Sequence, residues 1–145
     1  MDTVYIETSI VSHATACPSS DPATAVLQAQ AKQWMDEQAA KYELVTSQIV
    51  LAEAGRGDPD AAKRRLAMLA TIPILDENPD TEIVADELVA RSLIPAAARL
   101  DALHVATAAL AGVQYLLTLN CRHIANAYVC RVSISCSMNL ACRGC

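Results

Sequence analysis

A chain of 145 residues is long enough to form one domain that buries a core without needing disulfide or metal staples. With 53% hydrophobic residues and a mean hydropathy of +0.25, it is not a disordered polymer. The net charge of −5 argues against a broad basic nucleic-acid surface, while leaving room for RNA contact through a few Arg and Lys side chains.

The elements alternate along the chain. "TVYIE", Thr3 to Glu7, reads as a short buried strand. A helix follows from Asp21, with Asp21 as N-cap and Pro22 at the first helical position. "ELVTS", Glu43 to Ser47, is a second strand, and "SQIVLAEAG" a helix that closes near Gly55. The Asp-Pro opening recurs at Asp58 and Pro59, ahead of "AAKRRLAMLAT". "IPIL", Ile72 to Leu75, is a third strand, and Pro73 suits it to a sheet edge. Helices are expected from about Asn78 to Leu93 and from Pro95 to Gly112, then a fourth strand in "QYLLTL". Strands alternating with helices imply βαβ units, so the expected class is α/β with a mostly parallel sheet.

Two stretches stand apart. Ala102 to Cys121 carries no Asp, Glu, Lys or Arg and is as long as a membrane span. Gly112, Gln114 and Asn120 interrupt it, and its pattern changes from Ala-rich to strand-like, so it reads as a buried helix, a Gly stop and a buried strand. No membrane association is expected. Asp2 and Glu7 also break the start where a secretory leader would need a basic and then an apolar run, which makes the cytoplasm the expected location. Residues 131–145 form an atypical tail. Four of the chain's 6 Cys lie at or after Cys130, and Cys136, Cys142 and Cys145 allow two readings, a reactive tail or three thiolates for Zn²⁺.

Chemistry concentrates in a few acids. Glu7 ends the first strand, while Glu53 and Asp101 sit inside otherwise apolar helical runs. A carboxylate in such surroundings is costly unless something offsets its charge, and no Lys or Arg is spaced to serve all three. Separate caps and surface acids would account for them. So would one divalent ion, with Mg²⁺ or Mn²⁺ suited to such hard oxygen ligands.

The ordered set "VYIETS", "SQIVLAEAGRGDP" and "IPAAARLDALHVATAALAGVQYLLTLNCRHIANA", spanning about Thr3 to Ala127, resembles the PIN-domain family. Within that family it is similar to the small bacterial VapC-type toxins. The resemblance implies a three-layer α/β/α fold with strand order 3-2-1-4-5, here a domain over residues 1–130 whose C-terminal strand is missing or atypical. It implies a metal-dependent ribonuclease hydrolysing RNA phosphodiester bonds, an antitoxin partner and a second copy of the chain. Glu7, Glu53 and Asp101 match the acidic metal ligands, Asn120 matches a position that is often a fourth acid, and Thr8 and Ser9 match the hydroxyls beside the first acid. Glu7 stands where most of the family has Asp, and Asn120 replaces an anion with a neutral amide. The alternative reading is a catalytically weak module that binds RNA or a protein partner.

The remaining polar candidates are read from spacing. His104 lies three residues after Asp101 on one helical face, where it orients Asp101, touches substrate, or is a satisfied buried His. Arg122 and His123 follow Asn120 at a helix start, where they meet a phosphate or serve the helix. Lys63 to Arg65 reads as a solvated face, with RNA contact as the minority reading, and Trp34 and Met35 as core.

Overall fold

A computed structural model describes residues 1–124. Its centre is β1, Thr3–Ile6, flanked by β2, Glu43–Val45, and β3, Tyr115–Leu117, in a parallel sheet of order β2-β1-β3. Val4 pairs with Leu44 on one side and with Tyr115 on the other. Val4, Tyr5 and Ile6 are all buried, as expected of a central parallel strand covered on both faces.

The expected "IPIL" strand shrinks to a single rung beyond β2. Thr46 bridges Ile74, donating its N–H to the Pro73 carbonyl at 2.9 Å and accepting from Leu75 N at 2.8 Å. Pro73 has no N–H to carry the ladder outward, so pairing stops there. A further strand beyond residue 124, the Cys-rich tail and its zinc reading all lie outside the described residues.

Six α-helices surround the sheet among the described residues: α1 Thr8–Thr15, α2 Pro22–Glu37, α3 Gln48–Ala54, α4 Pro59–Leu69, α5 Thr81–Ala90 and α6 Arg99–Leu110. Asp21 and Asp58 cap α2 and α4 as the Asp-Pro pairs imply, accepting from Thr24 N and Ala61 N, each at 2.9 Å. Helix α5 begins three residues later than its Asn-Pro signal suggests. Asn78 turns its side chain onto Asp80 N at 2.8 Å and holds the approach as a turn instead. Pro95 opens a 3₁₀ turn, Ala96–Ala98, ahead of α6. Gly112, at φ +67°, turns the chain from α6 into β3 in the left-handed region that glycine tolerates. Helix α1 packs on α2 and α4, and α5 packs on α6. Trp34 is buried and stacks on Tyr42 with centroids 5.9 Å apart, a packing role as expected.

The "KRR" stretch is only partly a solvated face. Lys63 is exposed, but Arg64 donates to the Thr15 carbonyl at 3.0 Å and Arg65 to the Ala54 carbonyl at 2.9 Å, bracing α4 against the ends of α1 and α3. Among the described residues no helix is long and apolar enough to cross a membrane.

Candidate functional site

Glu7 follows β1 directly and still donates its N–H to the Leu117 carbonyl of β3, at 3.2 Å. The chain then enters α1, and Glu7 is that helix's N-cap. Its Oε2 accepts from Ser9 N at 3.1 Å, from Ser9 Oγ, and from Thr118 Oγ1 at 2.7 Å. Glu7 is only 5% exposed, yet every donor is uncharged. Such donors satisfy a carboxylate without neutralising it, and the N-terminal end of α1 favours the negative charge.

Glu53 lies in the last turn of α3. Its Oε1 accepts from Thr8 Oγ1 at 3.1 Å and contacts His104 Nε2 of α6. The other ring nitrogen, His104 Nδ1, meets the Tyr5 hydroxyl at 2.8 Å, and Tyr5 meets Ser47 Oγ, the N-cap of α3, at 2.7 Å. His104 is fully buried, which agrees with a satisfied core histidine. The expectation that it orients Asp101 fails, because its ring turns inward to Glu53. Partial burial pushes the Glu53 carboxyl up, but the His104 hydrogen bond and charge, the Thr8 hydroxyl and the Arg56 charge outweigh it. The net effect holds the group below the ordinary carboxylate range. Burial pushes the Tyr5 phenol well above its usual value.

Asp101, in the first turn of α6, faces the loop after β3. Its Oδ2 lies 2.8 Å from His123 Nδ1, and both side chains are mostly buried. Asn120 Oδ1 accepts from His123 N at 3.0 Å, and its own N–H donates to Thr118 Oγ1 at 2.9 Å. Asn120 therefore caps the turn that presents His123 to Asp101.

Together these contacts close a ring. It runs from Asp101 through His123, Asn120 and Thr118 to Glu7, along the backbone to Thr8, and on to Glu53 and His104, which lies one helical turn from Asp101. All seven candidate side chains, Glu7, Thr8, Ser9, Glu53, Asp101, His104 and Asn120, belong to the ring or touch it. Thr118, Tyr5, Ser47 and the Asp101 partner role of His123 were missed. Thr118 left a trace in the pattern: alternation along β3 puts it on the same face as buried Leu116, a polar side chain at a core position.

Each acid is gripped by one oxygen. Among the described residues all donors fall on Glu7 Oε2, Glu53 Oε1 and Asp101 Oδ2, while Glu7 Oε1, Glu53 Oε2 and Asp101 Oδ1 receive none. No Lys or Arg forms an ion pair with any of the three among the described residues. Nor, among those residues, do three His, Cys, Asp or Glu side chains stand together as a ready-made metal cage. Two of the acids instead have an imidazole beside them, His104 at Glu53 and His123 at Asp101. Compared with known protein families, curated proteins and solved structures, the chain matches none.

Proposed function

We propose that the protein is a divalent-metal-dependent endoribonuclease of the PIN type, with a three-layer α/β/α fold, acting as the toxin of a type II toxin–antitoxin pair. One observation supports the reading: three carboxylates at the carboxyl end of β1 and the adjoining helices are each held through one oxygen and, among the described residues, form no ion pair with Lys or Arg. Sites in open α/β folds form beyond the carboxyl ends of strands. Mg²⁺ or Mn²⁺, when bound, supplies an activated water and offsets charge on the scissile phosphate. Glu7, Glu53 and Asp101 would hold the ion, while Ser9, Thr118, Thr8, His104 and His123 keep those carboxylates oriented. Asn120 shapes the loop on the Asp101 side. Exposed Arg56, whose charge acts on Glu53, and exposed Arg122, beside Asn120, would meet RNA phosphates in this reading. Single-stranded or looped RNA is the proposed substrate because its backbone can enter an open cleft. An antitoxin and a second copy of this chain are the proposed partners, and the cytoplasm the proposed location.

A second reading, a module that binds RNA or a protein without turnover, is favoured by two facts. Asn120 spends its carboxamide oxygen on the His123 N–H, and the described residues offer no closed three-ligand cage. Purified protein incubated with single-stranded RNA and Mn²⁺ tests both. The nuclease reading expects cleavage that stops with EDTA and is abolished by Glu53→Gln and by Asp101→Asn in folded protein. Cleavage that persists in excess EDTA overturns the metal mechanism. Metal and RNA binding without cleavage selects the second reading.

A further inference from the structure

We infer that Arg56, Arg65 and Arg64 form a short track for the phosphates of single-stranded RNA, leading away from the acids past the ends of α3 and α1. The inference rests on the RNA-binding reading proposed above and involves no metal. Arg56 stands just after α3, and its charge reaches Glu53. Arg65, on α4, donates from Nε to the Ala54 carbonyl at 2.9 Å and from Nη2 to the Arg56 carbonyl. Its neighbour Arg64 donates from Nε to the Thr15 carbonyl at 3.0 Å. Ala54 and Thr15 are the last residues of α3 and α1. Helix α1 opens on Glu7, and its length puts Thr15 about 12 Å further on. At about 3.4 Å of rise per nucleotide in one strand, that distance covers roughly three phosphates.

Charge sets this face apart. The chain has 16 Asp and Glu against 11 Lys and Arg. Away from this face Lys32, Arg91 and Arg99 each pair with an acid. Arg56, Lys63, Arg64 and Arg65 form no ion pair among the described residues. Asp58, close by in sequence, is spent on the α4 cap. Unpaired cations are therefore concentrated where acids are in excess, beside carboxylates that would by themselves repel a phosphate backbone.

Helix capping accounts for part of these contacts and leaves the rest free. A helix C-terminus has carbonyls without intrahelical partners and carries about half a negative charge. One guanidinium at each terminus meets that need and keeps most of its own charge. Capping also uses only one side of the fork. Among the described residues both terminal nitrogens of Arg64, and Nη1 of Arg65, make no hydrogen bond. A guanidinium held at Nε presents those donors in a fixed direction and loses less freedom on meeting a phosphate than one on a loose stem. Exposed Lys63 adds charge to the face but no anchored fork.

The test uses the full chain in EDTA, so that neither metal nor cleavage takes part. Anisotropy of a short fluorescent oligouridylate gives the affinity over a series of KCl concentrations. On logarithmic axes the affinity of the unaltered protein should fall with salt by about 0.7 for each phosphate contacted. Arg56→Gln, Arg64→Gln and Arg65→Gln should each weaken binding and lower that slope by about 0.7. Arg64→Lys, which keeps the charge and loses the fork, should hold the slope and lose part of the affinity. Lys32→Gln and Arg91→Gln remove the same charge elsewhere and should leave the slope unchanged. If they lower it as much as the three Arg variants do, the attraction is diffuse and the track is overturned. If the protein binds the RNA and folded Arg variants keep its slope, the track is overturned while the RNA reading stands. A protein that binds no RNA overturns that reading, and the track with it. Tighter binding of polyglutamate than of the oligouridylate assigns the face to an acidic peptide and overturns the RNA track. Where Arg64→Gln or Arg65→Gln does not fold, Arg56→Gln decides, since the Arg56 side chain makes no hydrogen bond among the described residues.

Discussion

Replacing Thr118 by Val removes one hydroxyl and keeps the side-chain shape. That hydroxyl, at a buried position, donates to Glu7 Oε2 at 2.7 Å, accepts from Asn120 N at 2.9 Å and lies 3.3 Å from Ser9 Oγ. Losing a hydrogen bond to an ionised group costs about 1.5–3 kcal/mol. The Asn120 N–H loses its acceptor too, but Asn120 is partly exposed and water can replace part of that bond. Ser9 still donates twice to Glu7, so the carboxylate is weakened rather than stranded. The expected loss is therefore about 2–4 kcal/mol in unfolding free energy. With a urea m-value of about 2 kcal/mol/M, the midpoint should fall by about 1–2 M. Thr107→Val is the control, since the same chemical change there removes only a hydroxyl bonded to the Leu103 carbonyl one turn back in α6. It should shift the midpoint by less than about 0.3 M. Urea melts of the three proteins at neutral pH decide the matter. Equal midpoints for Thr118→Val and the unaltered protein would refute the view that Thr118 anchors Glu7.

Other outcomes follow from individual contacts. Asp58→Ala should destabilise the protein by about 1 kcal/mol through loss of the α4 cap, read as a lower urea midpoint with an unchanged m-value. Tyr5 keeps its proton in the fold well above the value near 10 at which an unfolded tyrosine ionises, so its contribution is complete below about pH 10. Above that, the unfolded chain sheds the proton first and Tyr5 should lower stability by about 1.4 kcal/mol per pH unit, a share of the slope that Tyr5→Phe should remove in melts between about pH 9 and 11.5, leaving the smaller share from Tyr115. Asn120→Asp retains an acceptor for His123 N and adds a charge on the Asp101 side, so Mn²⁺ should bind about tenfold tighter, equivalent to about 1.4 kcal/mol. Unchanged affinity in calorimetry would put residue 120 outside the metal's reach.

Legibility followed the range of the interactions. The Asp-Pro openings of α2 and α4 are local signals, and both helices start where those signals put them. Strands β1 and β3 were readable as apolar runs because both of their faces are covered. Helix α1 was not readable. "TSIVSHAT" is rich in residues of middling helix propensity, and the segment folds because Ile10 and Val11 are buried and Glu7 caps it. The three acids stood out as charges in apolar runs, but their partners did not. Spacing on α6 pairs His104 with Asp101, whereas the ring is claimed by Tyr5 and Glu53, which lie 99 and 51 residues away in sequence. Asp101 in turn takes His123 from the far side of β3. No local pattern encodes such a choice, because three separate elements must pack before the competing partners can be compared.

The identity of those partners bears on why the acids persist. A buried carboxylate survives if it is neutralised by a cation, if it is protonated, or if enough neutral donors replace its water. Glu7 takes the third route, with two hydroxyls and a backbone N–H on one oxygen. Glu53 mixes that route with an imidazole, and its carboxyl is held below the ordinary range, so it remains charged at neutral pH. An Arg or Lys in either place would have stabilised the fold as well, and would have cancelled the charge. A scaffold that secures its carboxylates through Ser, Thr and His keeps a negative potential where the strands end. The same cluster also repels itself, so removing one charge can relieve strain while abolishing an attraction for cations. Stability and metal affinity should therefore separate in Glu53→Gln: the amide can still accept from Thr8 and His104 through its oxygen, so the melting midpoint should change little while Mn²⁺ binding collapses. A parallel loss of both would mean that Glu53 belongs to the fold and not to a site.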